Sequence, residues 1–172
     1  MKTIAIITDK SLGLTVSKEN TLTKKREAAR AIIFNASAQI ALIYTETHGH
    51  HKIAGGGIDS GETFHDALKR EAIEEAGCEV KIREEVVGKI EEYINEECLH
   101  QISYCGVADV VNDLGANQLT DSEKSEGYTA PIWVTLPEAL ALFKADKPKT
   151  YSGNFMHARD MLFIETALKM FP

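Results

Sequence analysis

Residues 55 to 78 read GGGIDSGETFHDALKREAIEEAGC, and the rest of the 172-residue chain is read outward from them. At about 100° per residue, Phe64, Leu68, Ala72 and Ala76 form one stripe of a helix predicted over 63 to 76, closed by Gly77 where a left-handed cap is wanted. Glu75 points into that stripe, Glu71 lies at its edge and Glu74 somewhat beyond, while Ile73 points away. An ordinary surface helix wets its carboxylates and buries its isoleucine, so this one carries charge on the side that packs. Three carboxylates at i, i+3 and i+4 repel one another unless something neutralises them. Hard oxygen ligands in such a cluster suit Mg²⁺ or Mn²⁺, which keeps several waters and takes further ligands from substrate phosphates. The plainer reading, a solvated acidic helix with an Arg70 to Glu74 pair worth a few tenths of a kcal/mol, does not account for charge on the packing side. Gly55, Gly56, Gly57 and Gly61 flank Asp59 and Ser60, and are expected to form a loop whose backbone turns sharply and approaches a pyrophosphate closely.

The same stretch resembles the Nudix box, G-x5-E-x7-R-E-U-x-E-E-x-G-U with U a bulky aliphatic residue. Gly56, Glu62, Arg70, Glu71, Glu74, Glu75 and Gly77 stand at its fixed positions, whereas Ala72 and Cys78 fill its aliphatic ones less well. The resemblance implies a Nudix-type α/β/α sandwich with a mixed β-sheet between helices, extending from about residue 24 to 170. It implies Glu74 and Glu75 as the main metal ligands, Glu71 as a further ligand or base, and Arg70 as the residue that orients the carboxylates. Glu62 supports the site, and the Gly55 carbonyl is a further ligand in some relatives. Gly55, Gly56 and Gly57 would then lie against the bound diphosphate. Many members recruit an additional glutamate from outside the box; in DSEKSEGYTAPIW, Glu123 and Glu126 are the candidates, with Glu126 preferred because it lies nearer the Trp133 strand. The implied reaction is attack by metal-activated water on one phosphorus of a diphosphate linkage, with Mg²⁺ or Mn²⁺ as cofactor. The implied substrate is a nucleoside di- or triphosphate or derivative, an oxidised nucleoside triphosphate included. Alternatives are a dinucleoside polyphosphate, a nucleotide sugar, or a catalytically silent nucleotide-sensing module; the intact carboxylates argue against the last.

Away from the box, ARAIIF (29 to 34) and IALIY (40 to 44) read as a hairpin of two buried strands, and HKIAG (51 to 55) as a third strand. Long strands are expected at Val80 to Tyr93 and Leu99 to Val111, followed by a polar loop from Asn112 to Thr129, a strand at 130 to 135, a helix from Pro137 to Ala145 and a last helix from about Asn154 to Met170. This order makes a mixed α/β domain over 24 to 172, with residues 1 to 23 an N-terminal arm or added edge strand. His48, His50 and His51 read by default as solvated turn residues, with a substrate contact as the second choice and a zinc site disfavoured because no further ligand has matching spacing. His100 and Tyr104 share a strand face that packs or lines a base pocket, Trp133 is a core residue, and Met156, Phe163, Ala167 and Met170 form the core stripe of the last helix.

Composition narrows the partners. The formal charge of −7 gives no electrostatic footprint for polymeric nucleic acid, whose binding depends on Lys and Arg. No apolar run approaches the ~20 residues of a membrane span, and MKTIAIITDK is too short in apolar residues for a signal peptide, so an unexported, cytoplasmic protein is expected. Cys78, Cys98 and Cys105 lack a C-x-x-C pair and read as reduced thiols. A small-molecule nucleotide is the expected partner, bound by a monomer or homodimer.

Overall fold

The computed structural model describes residues 1 to 16 and 20 to 171. The expected N-terminal arm is therefore seen on either side of residues 17 to 19, which lie outside the described residues. Its strand β1 (Thr3–Thr8) pairs in parallel with β6 (Cys78–Ile94) at one edge of the sheet. From there the order runs through β7 (Leu99–Asp113), β2 (Lys24–Phe34), β3 (Ile40–Thr45) and β4 (His50–Lys52); β5 (Ala54–Gly57) also pairs with β2, and β8 (Ile132–Val134) with β3. The β1·β6 and β2·β7 pairs are parallel and the rest antiparallel, so the sheet is mixed. No helix among the described residues is long and apolar enough to cross a membrane.

Strand β2 shows why the chain forms layers. Its even residues Ile32 and Phe34 enter a core shared with α3 (Leu136–Ala145) and α4 (Tyr151–Met170), where Phe143, Phe155 and Phe163 are buried. Its odd residues Ala29, Ala31 and Ile33 enter a second core with Leu68 and Ala72 of α1 (Phe64–Ala76). Burial on both faces explains an almost unbroken apolar run. The exception is Arg30, charged and 5% exposed.

Four expectations are corrected. The hairpin of β2 and β3 meets only at Phe34 and Ile40, because β5 takes the stretch of β2 from Ala28 to Ala31. Gly55 to Gly57 are thus a strand, with only Gly61 left in a turn: chain without side chains fits beside the β2 ladder, and at Gly55 (φ 146°) an added Cβ would stand 2.2 Å from the Ala29 carbonyl oxygen. The polar loop begins as the end of β7 and contains a short helix, α2 (Asp121–Ser125), whose capping box joins Thr120 to Glu123. The last helix starts at Tyr151, with Thr150 as its cap, earlier than the apolar stripe suggests.

Candidate active site

Helix α1 is capped by the Thr63 hydroxyl accepting from the Asp66 N–H, and it ends at Gly77. As its period predicts, Leu68, Ala72 and Ala76 are buried together with Glu71 and Glu75, while Glu74 is half-buried. One cation organises this face. Arg70 grips Glu62 through two parallel hydrogen bonds of 2.9 Å, and its Nη1 donates to Glu71 Oε1 at 2.7 Å and Glu74 Oε2 at 3.0 Å. Its Nη2 also reaches the Gly57 carbonyl at 2.9 Å, tying the helix to β5. The Arg70 hydrogen bonds hold Glu62 below the usual carboxylate range. Burial raises Glu74 despite the same guanidinium.

Glu71 lies against the glycine strand so closely that a Cβ on Gly56 would fall 2.2 Å from its Oε1. Its other oxygen, Oε2, is buried and accepts no hydrogen bond. An oxygen from each of Glu71, Glu74 and Glu123 lies within 4.8 Å of the others. A Mg²⁺ ion holds its oxygens at about 2.0–2.1 Å, so opposite ligands stand roughly 4 Å apart and only a small contraction is needed. Hard donors, an orphaned buried oxygen and this spacing fit a divalent cation. Glu123 is held for the task, since its Oε2 accepts from the Thr120 N–H at 2.6 Å and hydroxyl at 2.8 Å.

Glu126, preferred from sequence, lies instead 3.4 Å from His48 Nε2 and outside that cluster. The reason is local: α2 turns Glu123 toward α1 and leaves Glu126 at the C-terminal cap, where its carbonyl receives Thr45 and Thr47 of the neighbouring turn. Glu75 departs from expectation as well. Its Oε1 pairs with the Lys52 ammonium and its Oε2 accepts the Gly55 N–H at 2.8 Å, both within the protein interior. The Gly55 carbonyl faces Arg30 Nη1 and, at 3.5 Å, Lys52 Nζ. Burial pushes Glu75 up to about 7 against the pull of Lys52, with Glu71 adding to the rise. Burial disfavours the Lys52 ammonium, but Glu75 and Tyr128 outweigh it and raise Lys52 above its ordinary range.

A cleft of about 550 Å³ joins these groups and continues along the α4 side of the sheet, where Ile94, Leu99, Gln101 and Met156 line it. Arg26, Arg30 and Arg159 line the same space. Arg159 Nε donates to Asp160 at 2.7 Å and its Nη1 approaches Glu92 at 3.4 Å; Gln101 and Ser103 each donate to Glu92 at 2.8 Å. Asp160 in turn accepts from the Ile53 N–H at 3.1 Å, between Lys52 and the glycine strand. Burial opposes charge on Asp160, yet Arg159 and Arg30 hold it below the usual carboxylate range. Burial, together with the nearby Arg159 cation, lowers Arg30. These buried charges escaped the sequence reading, although Arg159 sits four residues from both Phe155 and Phe163, in the packing stripe of α4. That is the inward-charge signal that marked α1.

The other expectations fare unevenly. Phe163 and Ala167 are core residues, whereas Met156 lines the cleft and Met170 is exposed. His100 stacks on Tyr93 at 4.4 Å, and the Tyr104 hydroxyl donates to Glu27, on the strand face opposite Gln101 and away from the cleft. Trp133 is half-buried against the α1 core. The histidines are held rather than free in the turn: His50 is fully buried, while the partly exposed His51 faces Asp146 at 3.0 Å and the partly exposed His48, which lines the cleft, has its Nδ1 2.6 Å from the Thr150 hydroxyl.

Burial lowers His50 to about 4, although the His51 carbonyl and Asp160 favour the cation; His157 and Arg159 oppose it. Unfolded histidine titrates near about 6.5, so the unfolded chain takes up a proton that the native chain refuses until about pH 4. Stability from this group is therefore full above pH 6.5 and falls as the pH drops through that window. Urea unfolding at pH 7 and pH 5 should show the loss, and His50→Phe should flatten it.

Comparisons with known proteins bear on the family and the fold. The NUDIX domain family matches residues 24–153, which begins at β2 and reaches the first turn of α4. No curated protein sequence matches the chain significantly. Among solved structures, a NUDIX hydrolase from Nitrosomonas europaea is similar with a TM-score of 0.65 at 19% identity, covering 86% of this chain and 90% of its own. The MutT protein from Methanosarcina mazei Go1 gives 0.59 at 15% identity, covering 92% and 100%. An ADP-ribose pyrophosphatase from Streptococcus suis 89-1591 gives 0.50 at 19% identity, covering 83% and 91%. At these identities the likeness is one of fold, and the matched domain together with a box filled at all its fixed positions decides membership: the chain belongs to the Nudix hydrolases, enzymes that cleave phosphorus-containing acid anhydrides.

Proposed function

We propose that the chain is a metal-dependent pyrophosphohydrolase that cleaves the diphosphate linkage of a nucleoside di- or triphosphate or a derivative of one. The observation that carries this reading is the meeting of Glu71, Glu74 and Glu123 beside a side-chain-free strand in a cleft that also holds arginines. A divalent cation on these carboxylates would lower the pKa of the attacking water and neutralise charge on the phosphate oxygens. The remaining work falls to the chain itself.

Arg70 fixes the Glu71 and Glu74 carboxylates in one orientation through Nη1, and Glu62 fixes Arg70. Gly55 to Gly57 let the diphosphate approach the backbone, with Arg26, Arg30 and Arg159 supplying positive potential to its oxygens. Glu71 Oε2 or the free oxygen of Glu123 receives the proton as the water oxygen bonds to phosphorus; the phosphorus–bridging oxygen bond then breaks and the leaving phosphate carries the electron pair. The cleft's continuation along α4 combines apolar walls with the Gln101 amide, as a nucleoside requires, and its volume suits a small ligand.

The test is a panel of nucleoside diphosphates and triphosphates (including oxidised bases), dinucleoside polyphosphates and nucleotide sugars with Mg²⁺ or Mn²⁺, scored for release of phosphate, pyrophosphate or nucleoside monophosphate. Activity should vanish in excess chelator and return with the cation, and the cation alone should raise Tm by mass action. Full hydrolysis in chelator overturns the reading.

A further inference from the structure

The three glutamates of α1 are not equivalent. Glu71 Oε2 has no partner, whereas both oxygens of Glu75 are engaged. Lys52 and Glu75 are also the more enclosed pair, with side chains 1% and 2% exposed. The Lys52 ammonium sits 4.4 Å from the centre of the Tyr128 ring, so an aromatic face holds it from a second side. The Gly55 carbonyl, beside it, already meets Lys52 and Arg30. Of the four groups that the family resemblance offers to metal, Glu75 and the Gly55 carbonyl are therefore both bound to cations built into the chain, which leaves Glu71 and Glu74.

We propose that Lys52 takes the place of a metal ion at Glu75 and Gly55, so that the resting cleft binds its divalent cation through Glu71, Glu74 and Glu123 alone. A second divalent ion at Glu75 would lie against a buried ammonium, and like charges repel strongly where water is excluded. Nor can the ammonium leave at low cost: Lys52 is anchored in β4, and moving it from Glu75 strands both charges in the interior. Glu75 then acts as a positioning residue. It binds the Gly55 N–H and Lys52 together and so fixes the glycine strand against α1.

This inference rests on the metal-dependent reading above, and counting metal separates the two. Mn²⁺ titrated into the full chain without nucleotide, followed by electron paramagnetic resonance of the free ion, should give one tight site per chain. Glu123→Gln should abolish that site. Lys52→Met should admit a second ion, and added Mn²⁺ should restore part of the Tm that the substitution removes. Two tight ions in the unsubstituted chain overturn the inference and leave the metal-dependent function standing; no tight ion also overturns the inference, and the chelator test of hydrolysis then decides the function by itself. Should Lys52→Met not fold, the count in the unsubstituted chain and in Glu123→Gln decides.

Discussion

Glu71→Gln is expected to lower kcat at least ~10²-fold, the range for loss of a metal ligand or general base, while Tm stays within a few degrees of the parent. The substitution keeps volume and keeps an oxygen for Arg70, so the fold loses little. It removes the negative charge from the one carboxylate of the cluster with a buried, unpartnered oxygen. Glu74→Gln should behave alike. Glu75→Gln separates these roles, because it leaves Lys52 buried without its counter-charge. Removing one partner of a buried pair costs about 3–5 kcal/mol, which in a domain of this size lowers Tm by roughly 6–20 °C. Steady-state kinetics with calorimetry on the three variants checks the division. If Glu71→Gln proved as unstable as Glu75→Gln, Glu71 would be a structural carboxylate and the cluster would lose its centre.

Arg159→Met carries the second large effect. Methionine fills much of the same space on α4, but it deprives Asp160 and Glu92 of their shared cation, both fully buried. The expected loss is again about 3–5 kcal/mol. It should propagate to the site, because Asp160 holds the Ile53 N–H between Lys52 and Gly55. Chemical denaturation gives the stability, and KM should rise in the folded fraction since Arg159 lines the cleft. A variant as stable as the parent would mean that Arg30 compensates for the missing cation.

How much of this was legible depended on range. The α1 face was readable because a single helical period fixes Leu68, Ala72, Glu71 and Glu75 relative to one another without reference to the rest of the chain. The same logic, applied to Phe155, Arg159 and Phe163, would have exposed the buried arginine of α4. The choice between Glu123 and Glu126 was readable too, since Thr120 and Glu123 have the spacing of a capping box that fixes where α2 begins; closeness to Trp133 was the weaker guide. Other features had no local signal. Glycine has low strand propensity, and Gly55 to Gly57 form a strand because β2 offers its edge from Ala28 to Ala31. Lys52 finds Glu75 across 23 positions of sequence, a contact that only the packing of α1 on β5 creates. His50 is buried by residues of α4, far along the chain.

The central claim is that α2 completes the carboxylate cluster of α1, and the kcat of Glu123→Gln at saturating Mg²⁺ tests it most directly. Glu126→Gln serves as the neighbouring comparison, and Asp66→Asn, on the exposed side of α1, as the control. The account expects at least a ~10²-fold loss at Glu123, a clearly smaller one at Glu126 beside His48, and near-parent turnover at Asp66. A Glu123→Gln enzyme within about twofold of the parent, well below the ~10²-fold expected of a working ligand or base, would contradict it.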